Sequence, residues 1–148
     1  MAHNEVSSRR DFLKQTSCAL AGAVVLEQGA IAVNAAPKKV RIGVVGGGFG
    51  TSFQWHEHPD CVVQAVSDLR EDRRQRLMKV YDCSVAYNSL EELVLAKDID
   101  AVALFTDGPL HVQHTIEAMK NGKHVISAVP AAWATIEQAE LLLDTVKK

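Results

Sequence analysis

The chain has 148 residues, with 16 lysines and arginines against 18 aspartates and glutamates, and its net charge is −2 at pH 7. Hydrophobic residues make up 47% and charged residues 23% of it, which is ordinary for a globular protein and excludes a disordered or fibrous chain. No basic excess marks a nucleic-acid partner. The three cysteines lack the close spacing of a metal site or a disulfide framework.

The N-terminal segment carries a pattern typical of protein export. Two adjacent arginines, Arg9 and Arg10, precede an apolar stretch at residues 19–26. That stretch is shorter than the about 20 residues that a membrane-spanning helix needs. The order of the motif resembles a twin-arginine (Tat) signal peptide. The alternative is a basic amphipathic helix that stays attached to the protein.

This pattern divides the chain into three parts. Small residues at 33–35 offer a cleavage site for signal peptidase. We therefore expect a Tat signal peptide at residues 1–35, a short linker at 36–39 and one domain at 40–148. The Tat export machinery is then a partner, and the mature protein is expected in the periplasm or outside the cell.

A glycine-rich turn follows the first strand of the domain. Residues 40–45 are apolar enough for a buried parallel strand. Gly46 and Gly48 then match the first two glycines of G-x-G-x-x-G, and after Phe49 the third small residue falls one position early, at Gly50. Such a turn lets the backbone approach a pyrophosphate and opens a helix aimed at it. The alternative is a tight turn with a structural role only.

A carboxylate about 20 residues later strengthens the dinucleotide interpretation. The second apolar strand, residues 62–67, ends at Asp68, where an acidic residue accepts hydrogen bonds from the adenosine ribose. Its charge would repel a 2′-phosphate, so NAD is expected, with NADP possible because Arg70 is close enough to pair with that phosphate. Alternatively, Asp68 caps the helix that starts near Glu71.

Strand and helix patterns alternate through the rest of the chain. The predicted elements are a helix at 73–81, a strand at 84–87, a helix opened by the capping box Ser89–Glu92, a strand at 100–105, a helix from Pro109 to Gly122, a strand at 124–127 and a helix after Thr135. The last helix is expected to bury Ile136, Ala139, Leu143 and Val146. This alternation predicts an α/β fold with a doubly wound parallel Rossmann sheet of about five strands.

The loops at the carboxyl ends of these strands should line one crevice. The loop after the fourth strand contains Thr106, Asp107 and His111, and we expect Thr106 and His111 to approach the nicotinamide half of the cofactor. The alternative makes Asp107 a helix cap and His111 a surface residue.

Two pairs of histidines invite comparison with a metal site. His56 and His58 are two apart on an expected helix and diverge, whereas His111 and His114 have helical spacing but no third ligand. No metal site is therefore predicted.

Residues 39–148 resemble the Gfo/Idh/MocA family of dinucleotide-dependent sugar oxidoreductases. The opening strand and glycine turn resemble those of the family, and so does the segment 100–125, which includes Ala118–Val125. The resemblance implies an NAD(P)-binding domain, a carbohydrate or polyol substrate and a homodimer. It also implies a sixth strand and a C-terminal α+β substrate domain after Lys148, so we expect an isolated chain to be inactive.

The resemblance fails at one position that matters for catalysis. Family members continue with Glu-Lys-Pro where this sequence has Ala128-Val129-Pro130, and valine cannot transfer a proton as the lysine would. No catalytic residue is therefore assigned. The run from Val129 to Ala132 instead resembles NAD-dependent glycosidases of the same fold. A third interpretation is a cofactor-binding module without catalytic activity.

Overall fold

The computed structural model describes residues 38–148, so the twin-arginine motif and the cleavage site lie outside the described residues. The strands are β1 (Val40–Val45), β2 (Cys61–Ser67), β3 (Ala86–Tyr87), β4 (Ala101–Leu104) and β5 (His124–Ser127). The helices are α1 (Glu71–Tyr81), α2 (Leu90–Val94), α3 (His111–Lys120) and α4 (Ile136–Val146). All strand pairs are parallel, in the order β3-β2-β1-β4-β5. The predicted doubly wound sheet is confirmed.

The central strands are buried on both faces of the sheet. Val44 and Val45 of β1 are 0% and 3% exposed. Their side chains lie on opposite faces of the sheet, in two different hydrophobic clusters, so both faces are covered. One cluster joins the sheet to α2 and α3 through Leu93 and Ala118, and the other joins it to α1 through Leu77. Because both faces are covered, these strands are continuously apolar rather than alternating.

Side-chain caps fix the starts of two helices where the sequence predicts them. Ser89 accepts a hydrogen bond from the backbone N–H of Glu92 at 3.3 Å, and Thr135 accepts one from Gln138 at 3.2 Å. The Glu92 carboxylate accepts from Asn88, one position before the cap residue. The helices of residues 38–148 include none that is both long and apolar enough to cross a membrane.

Residues after the glycine turn do not form the regular helix predicted there. They form two 3₁₀ turns, Gly50–Ser52 and Trp55–Glu57, joined by extended backbone at Phe53. The reason is packing: the Phe53 ring stacks on Phe105, with ring centroids 4.6 Å apart, and on Trp55 at 5.4 Å. A continuous helix would remove these rings from their positions at the end of β4.

The prediction for the last helix is also wrong in its buried face. Ile136, Leu143 and Val146 are 74%, 52% and 60% exposed, and Ala139 is exposed too. Helix α4 packs against α3, and its half-buried positions Gln138, Leu142 and Thr145 lie on a neighbouring stripe. Helical periodicity identifies an apolar face but not which neighbouring element covers it.

Two smaller differences concern element ends. The predicted strand at 84–87 is paired only over β3, and the helix predicted from Pro109 begins as a 3₁₀ turn, Gly108–Leu110, before α3. That helix ends where expected, ahead of Gly122, whose φ of 71° favours glycine. Element ends are the least determined part of such a sequence pattern.

Candidate functional site

The glycine turn lies against the end of β4 and the first turn of α1. Gly46 has a φ of 100°, and a Cβ there would overlap the carbonyl group of Phe105. A Cβ at Gly47 would lie 2.7 Å from the Cβ of Arg73. Glycine is therefore required twice, once for conformation and once for close approach. The resulting turn exposes Gly48 at the carboxyl edge of the sheet.

Asp68 connects this turn to the end of β2. One carboxylate oxygen accepts a hydrogen bond from the backbone N–H of Gly47 at 2.7 Å, and the other accepts from Arg70 N–H at 2.8 Å. The helix cap position is Arg70, which makes no side-chain capping bond, so the interpretation of Asp68 as the cap of α1 is wrong. A carboxylate has about four acceptor sites, and two of those of Asp68 have no hydrogen-bond partner among the described residues.

Three arginines lie beside Asp68, and two of them are engaged. Arg70 forms a two-point ion pair with Asp72 at 2.8 and 3.0 Å, and this hydrogen bond lowers the pKa of the Asp72 carboxyl. Arg74 donates to the Asp68 carbonyl oxygen at 2.7 Å. Arg73 lies over the glycine turn, with its Nη1 3.7 Å from the position of a Cβ at Gly48.

A cavity of about 330 Å³ opens beside these groups. Among the residues that line it are Gly46, Asp68, Arg73, Thr106, Leu110 and His114. Ser67 also lines it, and its Oγ is buried without a hydrogen-bond partner in the described part of the chain. The residues after β1, β2 and β4 therefore line one cavity as predicted, whereas the loop after β5, which was expected to join them, contributes no lining residue. The lining brings an acidic group, a basic group and an unpartnered hydroxyl to one concave surface.

Thr106 lines the cavity, whereas His111 does not. The approach of Thr106 to the nicotinamide half of a cofactor stays a prediction. His111 is only 3% exposed. Its Nδ1 lies 2.8 Å from the carbonyl oxygen of Pro130, and its Nε2 lies 2.7 Å from that of Thr106. The surface interpretation of His111 is therefore wrong. Direct contact between its ring and a cofactor stays a prediction, which this arrangement does not favour because both nitrogens face carbonyl groups.

The residue that sequence reasoning missed is His114. It lies one helical turn beyond His111, lines the cavity, and its Nδ1 is 3.0 Å from the hydroxyl oxygen of Thr106. Burial lowers the pKa of His114, whereas the nearby Glu91 carboxylate raises it and His111 lowers it further. The three-residue spacing of His111 and His114 indicates that both lie on the same side of a helix. It does not indicate that both contact Thr106.

Phe49 extends the site away from the cavity. Its ring is 61% exposed and packs edge-on against Phe53 at 5.3 Å and Phe105 at 5.8 Å. Phe105 lines the cavity, and Gly50 is buried against its ring. Phe49 thus lies on an aromatic surface next to the glycine turn. Its contact with a cofactor remains a prediction.

Asp107 and the loop after β5 complete this edge of the sheet. Asp107 occupies the N-cap position of the 3₁₀ turn, as the capping interpretation has it, but its side chain makes no capping bond. Val129 is 92% exposed and offers no group that transfers a proton. The loop is held by the contact of Pro130 with His111, and the Trp133 ring lies against Gly108. Within residues 38–148, no three metal-ligating side chains are grouped.

The family model described as "Oxidoreductase family, NAD-binding Rossmann fold" (GFO_IDH_MocA) matches residues 40–148. Among curated proteins, the chain is 30% identical over 121 residues to a glycosyl hydrolase family 109 protein of Porphyromonas gingivalis, covering 74% of this chain and 26% of that protein. It is 29% identical over 112 residues to myo-inositol 2-dehydrogenase of Thermotoga maritima, covering 74% and 33%.

A solved structure with the same fold is that of scyllo-inositol dehydrogenase from Lactobacillus casei with bound NAD(H) and scyllo-inositol. The TM-score is 0.68 at 24% identity, with 74% of this chain and 33% of that chain covered. The chain thus spans about a quarter to a third of the length of the relatives it matches.

Proposed function

Since the chain belongs to the Gfo/Idh/MocA oxidoreductase family, whose domain here is an NAD-binding Rossmann fold, we propose that residues 40–148 are the nucleotide-binding part of an exported sugar or polyol oxidoreductase. The observation that carries the proposal is the Asp68 carboxylate, bound to Gly47 N–H at 2.7 Å and lining a cavity at the carboxyl edge of the sheet. NAD bound there would exchange a hydride with the substrate.

The residues present fit a dinucleotide. The backbone at Gly46 and Gly47 is free of side chains where a pyrophosphate would approach, and Asp68 retains acceptor sites for ribose hydroxyls. The charge of Asp68 disfavours a 2′-phosphate. Arg70, the cation that the sequence offers for pairing with that phosphate, is engaged in an ion pair with Asp72. We propose NAD as the preferred cofactor, with NADP binding more weakly.

The proposed substrate is a carbohydrate-like alcohol. Support comes from the sequence similarity to a myo-inositol 2-dehydrogenase. The loop at Val129 supplies no acid or base, so this chain alone would bind the cofactor without turning over a substrate. Substrate contacts and any homo-oligomer would then depend on a longer parent protein. Sugar-dependent reduction of NAD by the isolated chain would contradict this proposal.

Export by the Tat pathway is part of the proposal. Its support is the twin-arginine motif at Arg9 and Arg10, and a route for folded proteins suits one that acquires its cofactor in the cytoplasm. Replacing both arginines by lysine in a tagged chain should retain it in the cytoplasm of a Tat-competent host. Unchanged arrival in the periplasm would contradict the proposal.

A second candidate function is an NAD-dependent glycosidase. It is favoured by the Val129–Ala132 run and by the similarity to a glycosyl hydrolase family 109 protein. A full-length parent of this type would release a chromogenic leaving group from a glycoside without net reduction of NAD. A dehydrogenase would show net reduction, and a non-catalytic module would show neither reaction.

Calorimetric titration of NAD and NADP into the chain tests the binding proposal. Replacement of Asp68 by alanine should weaken NAD binding by at least about tenfold, since hydrogen bonds to a charged group contribute about 1.5–3 kcal/mol. Asp144→Ala is the matched control, because Asp144 is exposed on α4 and remote from the cavity. Failure of the folded wild-type chain to bind either nucleotide would refute the proposal.

A further inference from the structure

Two histidines of α3 bind the same residue through different atoms. His111 Nε2 contacts the carbonyl oxygen of Thr106 at 2.7 Å, and His114 Nδ1 contacts its hydroxyl oxygen at 3.0 Å. His111 is buried behind the strand end, whereas His114 and Thr106 both line the cavity. The backbone of Thr106 is therefore held by one histidine, and the direction of its hydroxyl hydrogen depends on the other.

The direction of that hydrogen follows from the protonation of His114. A neutral imidazole with its hydrogen on Nε2 accepts the Thr106 hydroxyl hydrogen at Nδ1, so the hydroxyl oxygen presents its lone pairs to the cavity. A protonated imidazole donates from Nδ1, and the hydroxyl hydrogen must turn away. The same threonine is thus an acceptor toward the cavity in one state and a donor in the other.

We propose that His114 is a positioning residue that holds the Thr106 hydroxyl as an acceptor in the nucleotide cavity, so that dinucleotide affinity depends on the protonation of His114. This inference rests on the proposed binding function of the cavity. The complementary ligand group is a hydrogen-bond donor of the adenosine half, either the adenine amino group or a ribose hydroxyl, because Thr106 shares the cavity with Asp68. The proposal thus replaces the expectation from the sequence that Thr106 approaches the nicotinamide half.

The charged neighbours of His114 decide the direction of the pH dependence. Glu91 faces it from α2 and favours the protonated form, while burial and His111 favour the neutral form, and burial is the largest effect. A ligand in the cavity removes further water from His114 and favours the neutral form again.

Four other charged groups line the same cavity. Asp68 and Arg70 lie in the loop after β2, Arg73 lies in the first turn of α1, and Asp107 lies in the loop after β4. None of these four side chains forms a hydrogen bond with His114 within residues 38–148. Because the proposed binding needs the neutral form, it is linked to proton release from His114, and affinity falls as the pH drops through the pKa of His114, which burial holds below the ordinary histidine value of 6.5.

The test is the dissociation constant of NAD, measured by calorimetry between pH 5.5 and 8.0 with the 148-residue chain, with circular dichroism confirming the fold at each pH. For wild type we expect constant affinity above neutrality and a loss of up to about tenfold per pH unit below the His114 pKa, the limit for one linked proton. NMR titration of the histidine ring should show its pKa lowered further by NAD.

Four variants separate this role from a structural one. His114→Asn keeps an acceptor near the Nδ1 position but does not titrate, so its affinity should stay within about threefold of wild type at pH 7.5 and become independent of pH. His114→Leu and Thr106→Val remove the hydrogen bond and should each weaken NAD binding severalfold without an additive effect when combined. His124→Asn, at an exposed histidine on β5, should retain the wild-type pH profile.

The outcomes are distinguishable. A wild-type affinity that is flat or rises toward pH 5.5, or a pH dependence that persists in His114→Asn, overturns the inference while leaving dinucleotide binding intact. Absence of NAD binding by the folded wild-type chain at every pH refutes the proposed function itself and the inference with it.

Discussion

The carboxylate of Asp68 accepts a hydrogen bond from the backbone N–H of Gly47 at 2.7 Å, across 21 residues of sequence. The bond joins the ends of two adjacent parallel strands, β1 and β2, at the edge where the cavity opens. The acidic residue therefore has two functions to fulfil. It stabilises the glycine turn, and in the proposed function it presents its remaining acceptor sites to a ribose.

Asp68→Asn should affect both functions. An amide presents only one oxygen, so either the Gly47 or the Arg70 N–H loses its acceptor, which is expected to lower the free energy of unfolding by about 1–3 kcal/mol. Loss of the negative charge should also narrow the preference for NAD over NADP. Urea unfolding and calorimetry with both nucleotides measure the two effects, and Asp144→Asn serves as control. An unchanged nucleotide preference would show that Asp68 does not discriminate the 2′-phosphate.

Gly46→Ala should be far more damaging than Gly122→Ala. Both glycines have positive φ values, 100° and 71°, so both substitutions carry a conformational cost of about 1–2 kcal/mol. Only at Gly46 does the new Cβ also overlap a carbonyl group, that of Phe105, whereas the space at Gly122 is open. Chemical denaturation should show the larger loss at Gly46. Equal losses at the two sites would contradict the close packing of the turn against β4.

Tyr81→Phe should destabilise the domain without disturbing its core. The Tyr81 hydroxyl donates to the carbonyl oxygens of Gly50 and Phe53, and it thereby ties the segment after the glycine turn to α1. Its removal leaves a buried acceptor unpaired, at a cost of about 1–3 kcal/mol. Tyr87→Phe is the control, since Tyr87 makes no side-chain hydrogen bond within residues 38–148. The melting temperatures of the two variants should differ clearly.

Burial raises the pKa of the Tyr81 phenol. The hydroxyl therefore stays protonated and remains a donor throughout the neutral range, so the difference between Tyr81→Phe and wild type should not change between pH 6 and pH 9. A difference that disappears within this range would contradict the donor role.

The ion pair of Arg41 with Asp100 predicts a pH dependence of stability. Arg41 donates to both carboxylate oxygens, at 2.9 and 2.7 Å, and these bonds hold the pKa of Asp100 well below its ordinary value of 3.8. Because the pKa of Asp100 is lower in the folded state than in the unfolded state, the ion pair stabilises the protein at pH values above the unfolded-state pKa. This stabilisation is lost as the pH falls through the folded-state pKa.

Thermal unfolding of Asp100→Asn and wild type at several pH values tests this ion pair. The difference in melting temperature should be constant from neutrality to about pH 5, and it should shrink as the pH falls below 3.8, the ordinary value for the carboxyl. Asp144→Asn is again the control. A difference that grows on acidification would rule out the ion pair as its source.

The order of elements was readable from local patterns because each pattern depends on neighbours in the chain. An apolar strand, a glycine turn and a second strand ending at Asp68 predict the first half of a doubly wound sheet, and the family model over residues 40–148 agrees. The caps at Ser89 and Thr135 were predicted for the same reason, since a capping bond spans three residues.

Contacts between distant residues were not readable in this way. The segment after the glycine turn forms 3₁₀ turns instead of the predicted helix because Phe53 stacks on Phe105. These two residues are 52 positions apart in the sequence and come into contact only in the fold. The apolar face of α4 was identified correctly as apolar but wrongly as buried, because periodicity does not specify a covering element.

The sequence by itself determined the fold class and the edge of the sheet at which the cavity lies. Both follow from local patterns, because parallel strands bring the glycine turn and the other strand ends to the same edge. Only the tertiary structure decided how that edge is built. It placed His111 behind Thr106 and His114 in front of it, and it gave Asp68 a second bond to the glycine turn. Such choices depend on which side chains meet across strands, where burial and hydrogen bonding outweigh the preferences of any single segment.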